Sequence, residues 1–201
     1  MKLSRMLSVS LRLLLVGIVL FAVIYPLLVG GVGQIWSNKS QGSLIQYNGQ
    51  TVGSRFIGQK FNEPYHFYSR PSAIDYQTVA SEADINYEKV NSGSANLGPN
   101  NPELSRRVEG SLQKLSEEET AVNMVPADLV TESGSALDPH ISPEAAYLQI
   151  PRVAAEAGIA DDELEEIVEE MIEPRFLGLY GGERVNVLEL NLRLEKEVLN
   201  R

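Results

Sequence analysis

The residues best equipped for chemistry lie in the passage 133–140, which reads SGSALDPH and combines hydroxyl groups, one carboxylate and one imidazole. Ser135, Asp138 and His140 are the residue types of nucleophilic catalysis, in which an imidazole activates a hydroxyl and a carboxylate orients the imidazole. Such a triad is defined by geometry, and the sequence lacks the G-x-S-x-G turn that presents the nucleophile in α/β-hydrolases. A hydrolase using these three residues is therefore the alternative function, to be judged by their positions in the fold.

The same passage has some features of a phosphate-binding turn. Backbone N–H groups of a turn rich in glycine and serine, here Ser133 and Gly134, bind phosphate at the start of a helix. The signal is weak, because the Walker sequence G-x-x-x-x-G-K-[ST] is absent and no lysine lies nearby. We favour a third interpretation, in which Gly134 permits a special turn, Asp138 and Ser142 satisfy backbone donors, and His140 packs or forms a hydrogen bond locally. His66 and His140 are the only histidines and cysteine is absent, so a metal site of these residue types has little material.

A helix must follow this passage closely. Ser142 supplies a capping hydroxyl, and the proline and glutamate after it suit the first turn of a helix. An interior proline loses a hydrogen bond and costs about 3 kcal/mol, so Pro151 predicts a break or kink near Ile150. Asp161 or Asp162 is expected to cap the next helix.

The spacing of apolar residues predicts three further helical segments. From Pro102 to about Glu119, one face carries four aliphatic residues at helical spacing. The helix after Asp162 has an apolar stripe surrounded by glutamates, which we interpret as a solvated face because helix spacing alone does not converge oxygens on a cation. Periodicity over 188–194 does not separate a strand from a helix, and we favour a helix. The stripe comprises Leu164, Ile167, Val168, Met171 and Ile172, and the glutamates are Glu163, Glu165, Glu166, Glu169 and Glu170.

Extended structure is indicated earlier in the chain. Residues 52–68 are rich in β-branched and aromatic types with partial alternation, which favours strands. Residues 69–101 are polar and have the composition of a loop. The aromatic residues in or beside this loop are either anchors for a partner or locally packed side chains; they are Tyr65, Phe67, Tyr68, Tyr76 and Tyr87. Helices and short strands segregated along the chain predict an α+β fold.

One unbroken apolar run extends from Leu13 to Val32 and carries no charge. Its twenty residues would form a helix of roughly 30 Å, which matches the hydrocarbon thickness of a bilayer. Pro26 does not exclude this, because membrane helices tolerate proline where backbone groups are satisfied locally. A cleaved signal peptide has a shorter apolar core and an A-x-A-like site. We therefore predict that residues 13–32 form a retained transmembrane helix.

The flanking charges predict the orientation of this helix. Lys2, Arg5 and Arg12 precede the run and no acid does, so the positive-inside rule places residues 1–12 in the cytoplasm. Residues 33–50 are expected to link the helix to one extracytoplasmic domain at 51–201. The expected location is the inner, or plasma, membrane, crossed once. The hydrolase alternative would then be tethered to the membrane and extracytoplasmic.

All 27 acidic residues, but only 14 of the 17 basic ones, follow residue 32, which gives that part of the chain a net charge of −13. A surface of this charge disfavours nucleic acid, which binds basic patches. The absence of cysteine also excludes thiol catalysis and cysteine-based metal sites. The remaining 169 residues are enough for one domain with its own core.

Several blocks, in this order, carry a resemblance that covers nearly the whole chain: YPLLVGGVGQ, GSLIQ, VGSRFIGQKF, RPSAIDY, SGSANLGPNNP, DLVTESGSALDPHIS and RVNVLELNL. The chain resembles the KdpC family, the accessory subunits of the Kdp potassium-transporting P-type ATPase. Two departures stand out. Ala136 occupies a position where the family usually has a second glycine, and Pro151 lies inside the family's Q-x-x-R-V block.

The resemblance implies a complex with a channel-like potassium-binding subunit, a P-type ATPase subunit that hydrolyses ATP and a small hydrophobic peptide subunit. It implies an accessory, non-catalytic role that raises the ATP affinity of the ATPase subunit, with potassium handled by a partner and no covalently bound cofactor. The chain agrees in lacking the D-K-T-G phosphorylation sequence. The nucleotide-contact or functional-loop candidates are Ser133, Gly134, Ser135, Asp138, His140 and Gln149. The predicted topology places them away from cytoplasmic ATP, so an effect on ATP affinity would be allosteric.

Overall fold

The structure is a computed structural model that describes residues 3–76, 92–119 and 124–199. It divides into two compact units, one ending at Leu44 and one beginning at Ile45. Tyr87 lies outside the described residues. The long apolar helix, the further helices and the small sheets confirm the α+β class.

The first unit is dominated by one helix from Leu3 to Ser40, the only one in the described parts of the chain that is long and apolar enough to cross a bilayer. Leu13, Pro26 and Val32 are exposed along it. Ahead of Pro26 the helix widens, and the Tyr25 N–H donates to the Leu20 carbonyl five residues earlier. A wider turn accommodates proline, whose ring would clash with the carbonyl four residues back. The segments are α1 (Leu3–Ile18), a π turn (Val19–Ile24), α2 (Tyr25–Gly33), a 3₁₀ turn (Gln34–Trp36) and α3 (Ser37–Ser40).

Residues 33–50, expected as a linker, comprise the end of this helix and most of a hairpin. β1 (Leu44–Tyr47) and β2 (Gln50–Ser54) pair as a two-stranded sheet. Asn48 and Gly49 between them both have positive φ, +50° and +79°, as a type I′ turn requires. The strand structure predicted over 52–68 is found only as far as Ser54. Farther along, the Phe67 and Tyr68 N–H groups donate to the side chains of Asn191 and Gln149 rather than to a neighbouring strand.

The second unit places helices beside a three-stranded antiparallel sheet in the order β3-β5-β4. His140 pairs with Asn186 in this sheet, and Glu173 pairs with Arg184. The strands are β3 (His140–Ile141), β4 (Ile172–Glu173) and β5 (Arg184–Asn186); the helices are α4 (Pro102–Glu118), α5 (Pro143–Ala157), α6 (Asp161–Glu170) and α7 (Val187–Leu194), the last continuing as a π turn (Glu195–Leu199).

The core lies among α5, α6, α7 and the sheet, where Val153, Leu164, Val168, Leu190 and Leu194 are fully buried. Leu164, Ile167 and Val168 of the predicted stripe face this core from α6, whereas Met171 and Ile172 lie beyond the end of the helix. The helix favoured over 188–194 is confirmed. Full burial of each such side chain contributes about 1.5–3 kcal/mol. This packing is what holds the neighbouring loops at fixed positions.

The α5 boundaries correct one prediction. Ser142 caps the helix as expected, its Oγ accepting from the Ala145 N–H at 3.1 Å. The break predicted near Ile150 is wrong, because α5 continues through Pro151 to Ala157. The buried side chains on either side of the proline, including Ile150 and Val153, hold the helix together against the lost hydrogen bond.

The start of α6 also differs from the prediction made from the sequence. Ala160 occupies the cap position and makes no side-chain capping bond. Asp161 and Asp162 instead lie in the first turn, where their charges favour the positive end of the helix dipole. The capping role predicted for them is therefore wrong, although their effect on the helix has the same sign.

Candidate functional site

The loop at 133–140 runs from a 3₁₀ turn (Ala127–Leu129) toward β3, and segments distant in sequence clasp it. Its carbonyls at 135, 136, 137 and 138 accept from four parts of the chain. The donors are the Gly93 N–H to Ser135 (2.9 Å), the Ser72 Oγ to Ala136 (2.7 Å), the Gly58 N–H to Leu137 (2.7 Å) and the Tyr76 hydroxyl to Asp138 (3.1 Å). The loop is therefore a structural junction whose backbone is held on several sides.

The side chains of the loop also form local contacts, although Ser135 itself is exposed. Ser133 is buried, and its Oγ lies 3.5 Å from the Ser135 Oγ. The Ser135 Oγ accepts from the Leu137 N–H at 3.1 Å. Ala136 is fully buried at φ +59°, a conformation that glycine adopts without strain. This positive φ explains why the resembled family usually has glycine at this position.

Asp138 and His140 form a close pair. The Asp138 Oδ1 accepts from the His140 N–H at 3.0 Å and lies 3.2 Å from the His140 Nδ1, while Arg70 donates to Oδ2 at 3.1 Å. Burial opposes ionisation of Asp138, but the hydrogen bonds from His140 and the Arg70 charge outweigh it and lower the pKa of the carboxyl. Asp138 is thus an ionised anchor for β3.

The hydrolase alternative is not supported by this geometry. Within the described residues no hydrogen bond joins the Ser135 Oγ to His140, and the Ser135 hydroxyl is engaged by backbone in its own turn. Ser135 is exposed, but a serine nucleophile also needs its base within hydrogen-bond reach, and the His140 Nδ1 lies against Asp138 instead. The pair of Asp138 and His140 is better explained as the connection between the loop and β3.

Tyr76 and Gly58 show how tightly the loop is enclosed. Tyr76 is 4% exposed, and burial, together with the Asp138 charge, raises the pKa of its hydroxyl to about 12. A Cβ added at Gly58 would lie 2.5 Å from the Tyr76 Cε1 and 2.6 Å from the Asp138 carbonyl oxygen. Only glycine fits at this point, although its sequence context does not reveal the requirement.

Gln149, a candidate nucleotide contact, is fully buried and uses its amide inside the protein. Its Oε1 accepts from the Tyr68 N–H at 2.7 Å and from the Arg152 Nη2 at 2.9 Å. Its Nε2 donates to the carbonyls of Ala145 (3.1 Å) and Tyr68 (3.3 Å). The carboxamide therefore makes the two backbone hydrogen bonds to residue 68 that a neighbouring β-strand would otherwise make.

Asn191 on α7 makes a similar pair of hydrogen bonds with the backbone of Phe67. The Phe67 N–H donates to its Oδ1 at 2.8 Å, and its Nδ2 donates to the Phe67 carbonyl at 3.0 Å. Our sequence reasoning missed Asn191. The available signal was a polar residue on the apolar face of α7, between Leu190 and Leu194.

Arg152 completes this arrangement around the segment 64–68. Its Nε donates to the Glu119 Oε1 at 2.7 Å, its Nη1 donates to the His66 carbonyl at 3.0 Å, and its guanidinium lies 4.0 Å from the centre of the Tyr68 ring. The side chains of Arg152 and Glu119 are 8% and 0% exposed. Breaking such a buried pair leaves an uncompensated charge. Phe67 and Tyr76, two of the five aromatic residues left open above, are locally packed.

The cavities and acidic surfaces add no chemistry. A cleft of about 480 Å³ lies between α4 and residues 94–97 and is lined by Arg107 and Lys114, of which Arg107 is paired with Glu103 and Glu132. Across the described ranges, no three or more histidine or acidic side chains converge as a metal site. The contacts described here join the loop at 133–140 and the segment 64–68 to the rest of the domain.

Comparison with known proteins identifies the family. A family model described as "KdpC: K+-transporting ATPase, c chain" matches residues 7–196. The chain is 45% identical to a potassium-transporting ATPase KdpC subunit of Bacillus cytotoxicus, over 93% of both chains. It is 40% identical to that of Caldanaerobacter subterraneus subsp. tengcongensis, over 94% of both, and 43% identical to that of Halobacterium salinarum, over 96% of this chain and 88% of the relative. On these matches, the chain belongs to the KdpC family.

Proposed function

We propose that this chain is an accessory, non-catalytic subunit of a high-affinity, ATP-driven potassium import pump. The observation that carries the proposal is the match to KdpC subunits over more than nine tenths of the chain. The enclosed loop at 133–140 agrees with a non-catalytic role, because its hydroxyls and its carboxylate are engaged within the chain.

The subunit would cross the inner membrane once, through the helix that contains Leu13, Pro26 and Val32. Residues 1–12 would be cytoplasmic and the domain at 51–201 extracytoplasmic. The support is the cluster of three cations, Lys2, Arg5 and Arg12, that immediately precedes the apolar run. The span itself is consistent with the single long apolar helix.

Its partners would be a channel-like potassium-binding subunit, a P-type ATPase subunit and a small hydrophobic peptide subunit. The domain would stabilise their assembly and raise the ATP affinity of the ATPase subunit through a coupling free energy rather than through contact with ATP. Two observations support this indirect route. The predicted topology separates the domain from cytoplasmic ATP, and the amide of Gln149 is engaged within the protein.

Removing the chain from the pump tests the proposal. We expect cells that lack it to fail to grow at limiting potassium, and the full chain to restore growth and to co-purify with the ATPase subunit in detergent. A pump that assembles and imports potassium equally well without this chain would contradict an accessory role.

Two further measurements test the details. Protease added to spheroplasts should digest the domain, whereas sealed inside-out vesicles should protect it; the reverse pattern would overturn the topology. In the assembled pump, a photoreactive ATP analogue should label the ATPase subunit and leave this chain unlabelled. Labelling of the loop at 133–140 would replace the indirect route by direct contact.

A further inference from the structure

Residues 174–183, which we call the apolar loop, connect β4 to β5 and display the largest group of exposed apolar side chains among the described residues of the second unit. Phe176, Leu177, Leu179 and Tyr180 are 68%, 75%, 77% and 67% exposed. Together they present on the order of 500 Å² of mostly apolar surface, at the upper end of what a soluble monomer displays. A patch of this kind in a soluble domain marks an interaction site.

The loop is held in a single shape by its own backbone. Phe176 and Tyr180 form an isolated antiparallel bridge, in which the Phe176 N–H donates to the Tyr180 carbonyl at 2.9 Å and the Tyr180 N–H donates back at 3.0 Å. The Gly178 N–H donates to the Arg175 carbonyl at 3.0 Å, which closes the tip. The exposed side chains are therefore displayed on an ordered turn, which lowers the entropy lost on binding.

Ion pairs fix the base of the loop. Glu173 accepts from Arg184 and from Arg55, each at 2.7 Å, and Arg55 also lies 3.3 Å from Glu189. Burial opposes ionisation of Glu173, but the hydrogen bond from Arg55 and the charges of both arginines outweigh it and lower the pKa of the carboxyl. The loop is thus anchored to the sheet and to α7.

Leu177 adds an independent sign of function. It has φ +53°, a left-handed conformation that costs a non-glycine residue about 1–2 kcal/mol. Its side chain is 75% exposed, so no burial within the chain offsets that strain. Strained backbone at an exposed apolar tip is typical of a site that acts on something else.

We propose that the apolar loop docks into an apolar recess on another protein subunit of the same pump. The inference rests on the proposed function, which supplies the partner. A protein occupant is favoured over lipid because the part of the chain after residue 32 carries a net charge of −13, which opposes its approach to any anionic lipid surface. Arg175 and Glu183, both exposed, flank the apolar cluster with opposite charges, so the rim of the loop gives no net attraction to such a surface.

The size and shape of the loop fit a central anchor of an interface. A standard interface buries about 800 Å² on each partner, of which the loop would supply more than half. Aromatic and aliphatic side chains on a rigid support are the residues that dominate binding energy at the centre of such interfaces. The recess is expected to be lined by apolar side chains, with polar groups at its rim opposite Arg175 and Glu183.

The first test removes the apolar surface and keeps the turn. Asparagine tolerates left-handed φ, so the double variant Leu177→Asn/Leu179→Ser leaves the backbone of the loop intact. In the detergent-solubilised complex, purified through a tag on the ATPase subunit, we expect retention of the variant to fall at least tenfold. The matched control is Met124→Ser, a change of an 88% exposed apolar residue outside the loop, which should leave retention unchanged.

Melting of each full-length variant in detergent, followed by circular dichroism, separates binding from folding. The double variant is expected to melt as the wild type does. If it folds normally and is retained as well as the wild type, the docking proposal is overturned. If the wild-type chain itself is not retained, the proposed function fails instead, so the two failures are distinguishable.

A second test identifies what covers the loop. With the photoreactive p-benzoylphenylalanine in place of Tyr180, illumination of the assembled pump should join this chain to one other subunit in a single larger band. A band that contains two copies of this chain, or crosslinks to lipid alone, would contradict the docking proposal.

Discussion

The loop at 133–140 and the apolar loop at 174–183 both lead into the same three-stranded sheet, yet they use their side chains in opposite ways. The first contains hydroxyls, a carboxylate and an imidazole, and it is clasped by surrounding segments. The second contains mostly apolar residues, and it points them away from the domain. The polar and ionisable residues of the first loop, which suggest catalysis, stabilise the fold. The apolar residues of the second loop, which suggest a core, are exposed and available for a partner. Accessibility, more than residue type, separates structural from functional positions.

The largest loss of stability is expected from Gln149→Ala, which removes a buried polar side chain that serves the fold. The change leaves the Tyr68 N–H without its acceptor and removes a partner of the buried Arg152, so we expect a loss of about 3 kcal/mol in the free energy of unfolding. Urea titration of the full chain in detergent measures it. The control is Gln113→Ala on the exposed surface of α4, which should cost less than about 0.5 kcal/mol. A Gln149→Ala protein as stable as the wild type would contradict the structural role of the buried amide.

A smaller loss is expected from Gly58→Ala. The added Cβ would meet the backbone of Asp138, which has little room to move, so we expect about 2 kcal/mol of destabilisation. Gly134→Ala, within the loop at 133–140 itself, is the control, because no atom lies within 4 Å of the added Cβ. Thermal melting of both variants makes the comparison. Equal melting temperatures would mean that the loop is less enclosed than the structure shows.

The carboxylate of the enclosed loop should make a pH-dependent contribution. The pKa of Asp138 is lowered in the folded protein, so ionised Asp138 stabilises the fold above the pKa of the unfolded chain and loses this effect as the pH falls through the folded-state pKa. Asp138→Asn should therefore cost about 1 kcal/mol at pH 7 and progressively less below about pH 4. Urea titrations at several pH values measure the difference between the two proteins.

The control for this measurement is Glu156→Gln, on an exposed acid of α5, which should show little dependence on pH. If the cost of Asp138→Asn stays constant down to pH 3, the stabilisation comes from the shape of the side chain and not from its charge.

The smallest effect on stability is expected in the apolar loop. Leu177→Asn relieves a left-handed leucine and exposes no new buried surface, so the free energy of unfolding should stay unchanged or rise by less than about 1 kcal/mol. Thermal melting in detergent measures it. A clear destabilisation would show that Leu177 packs within this chain, and it would erase the contrast between the two loops.

The helices illustrate how far the sequence alone could go. The capping serine at 142, the aliphatic face from 102 and the stripe of α6 follow from local rules of spacing and capping, and the structure confirms them. Pro151 shows where such rules fail, because α5 is held by side chains that pack against distant elements. A local penalty of a few kcal/mol is outweighed by tertiary burial, which no window of sequence reports.

The candidate site shows the same limit more sharply. Asp138 and His140 are close in sequence and their contact was foreseeable. Asn191 and Phe67 are 124 residues apart, and Gly58 meets Asp138 across 80 residues of chain, so neither contact leaves a local signal. A polar residue on an apolar helix face indicates that it has a buried hydrogen-bond partner, but the sequence does not show which residue that partner is.

The sequence by itself determined a long apolar helix followed by an acidic α+β domain, and its ordered blocks carried the KdpC resemblance. These properties depend on composition and on short-range periodicity, which the chain carries wherever it folds. Only the tertiary structure decided which polar groups are engaged and which apolar groups remain exposed. That distinction depends on contacts between segments far apart in the chain, because a hydrogen bond or a buried surface exists only when both partners have been brought together.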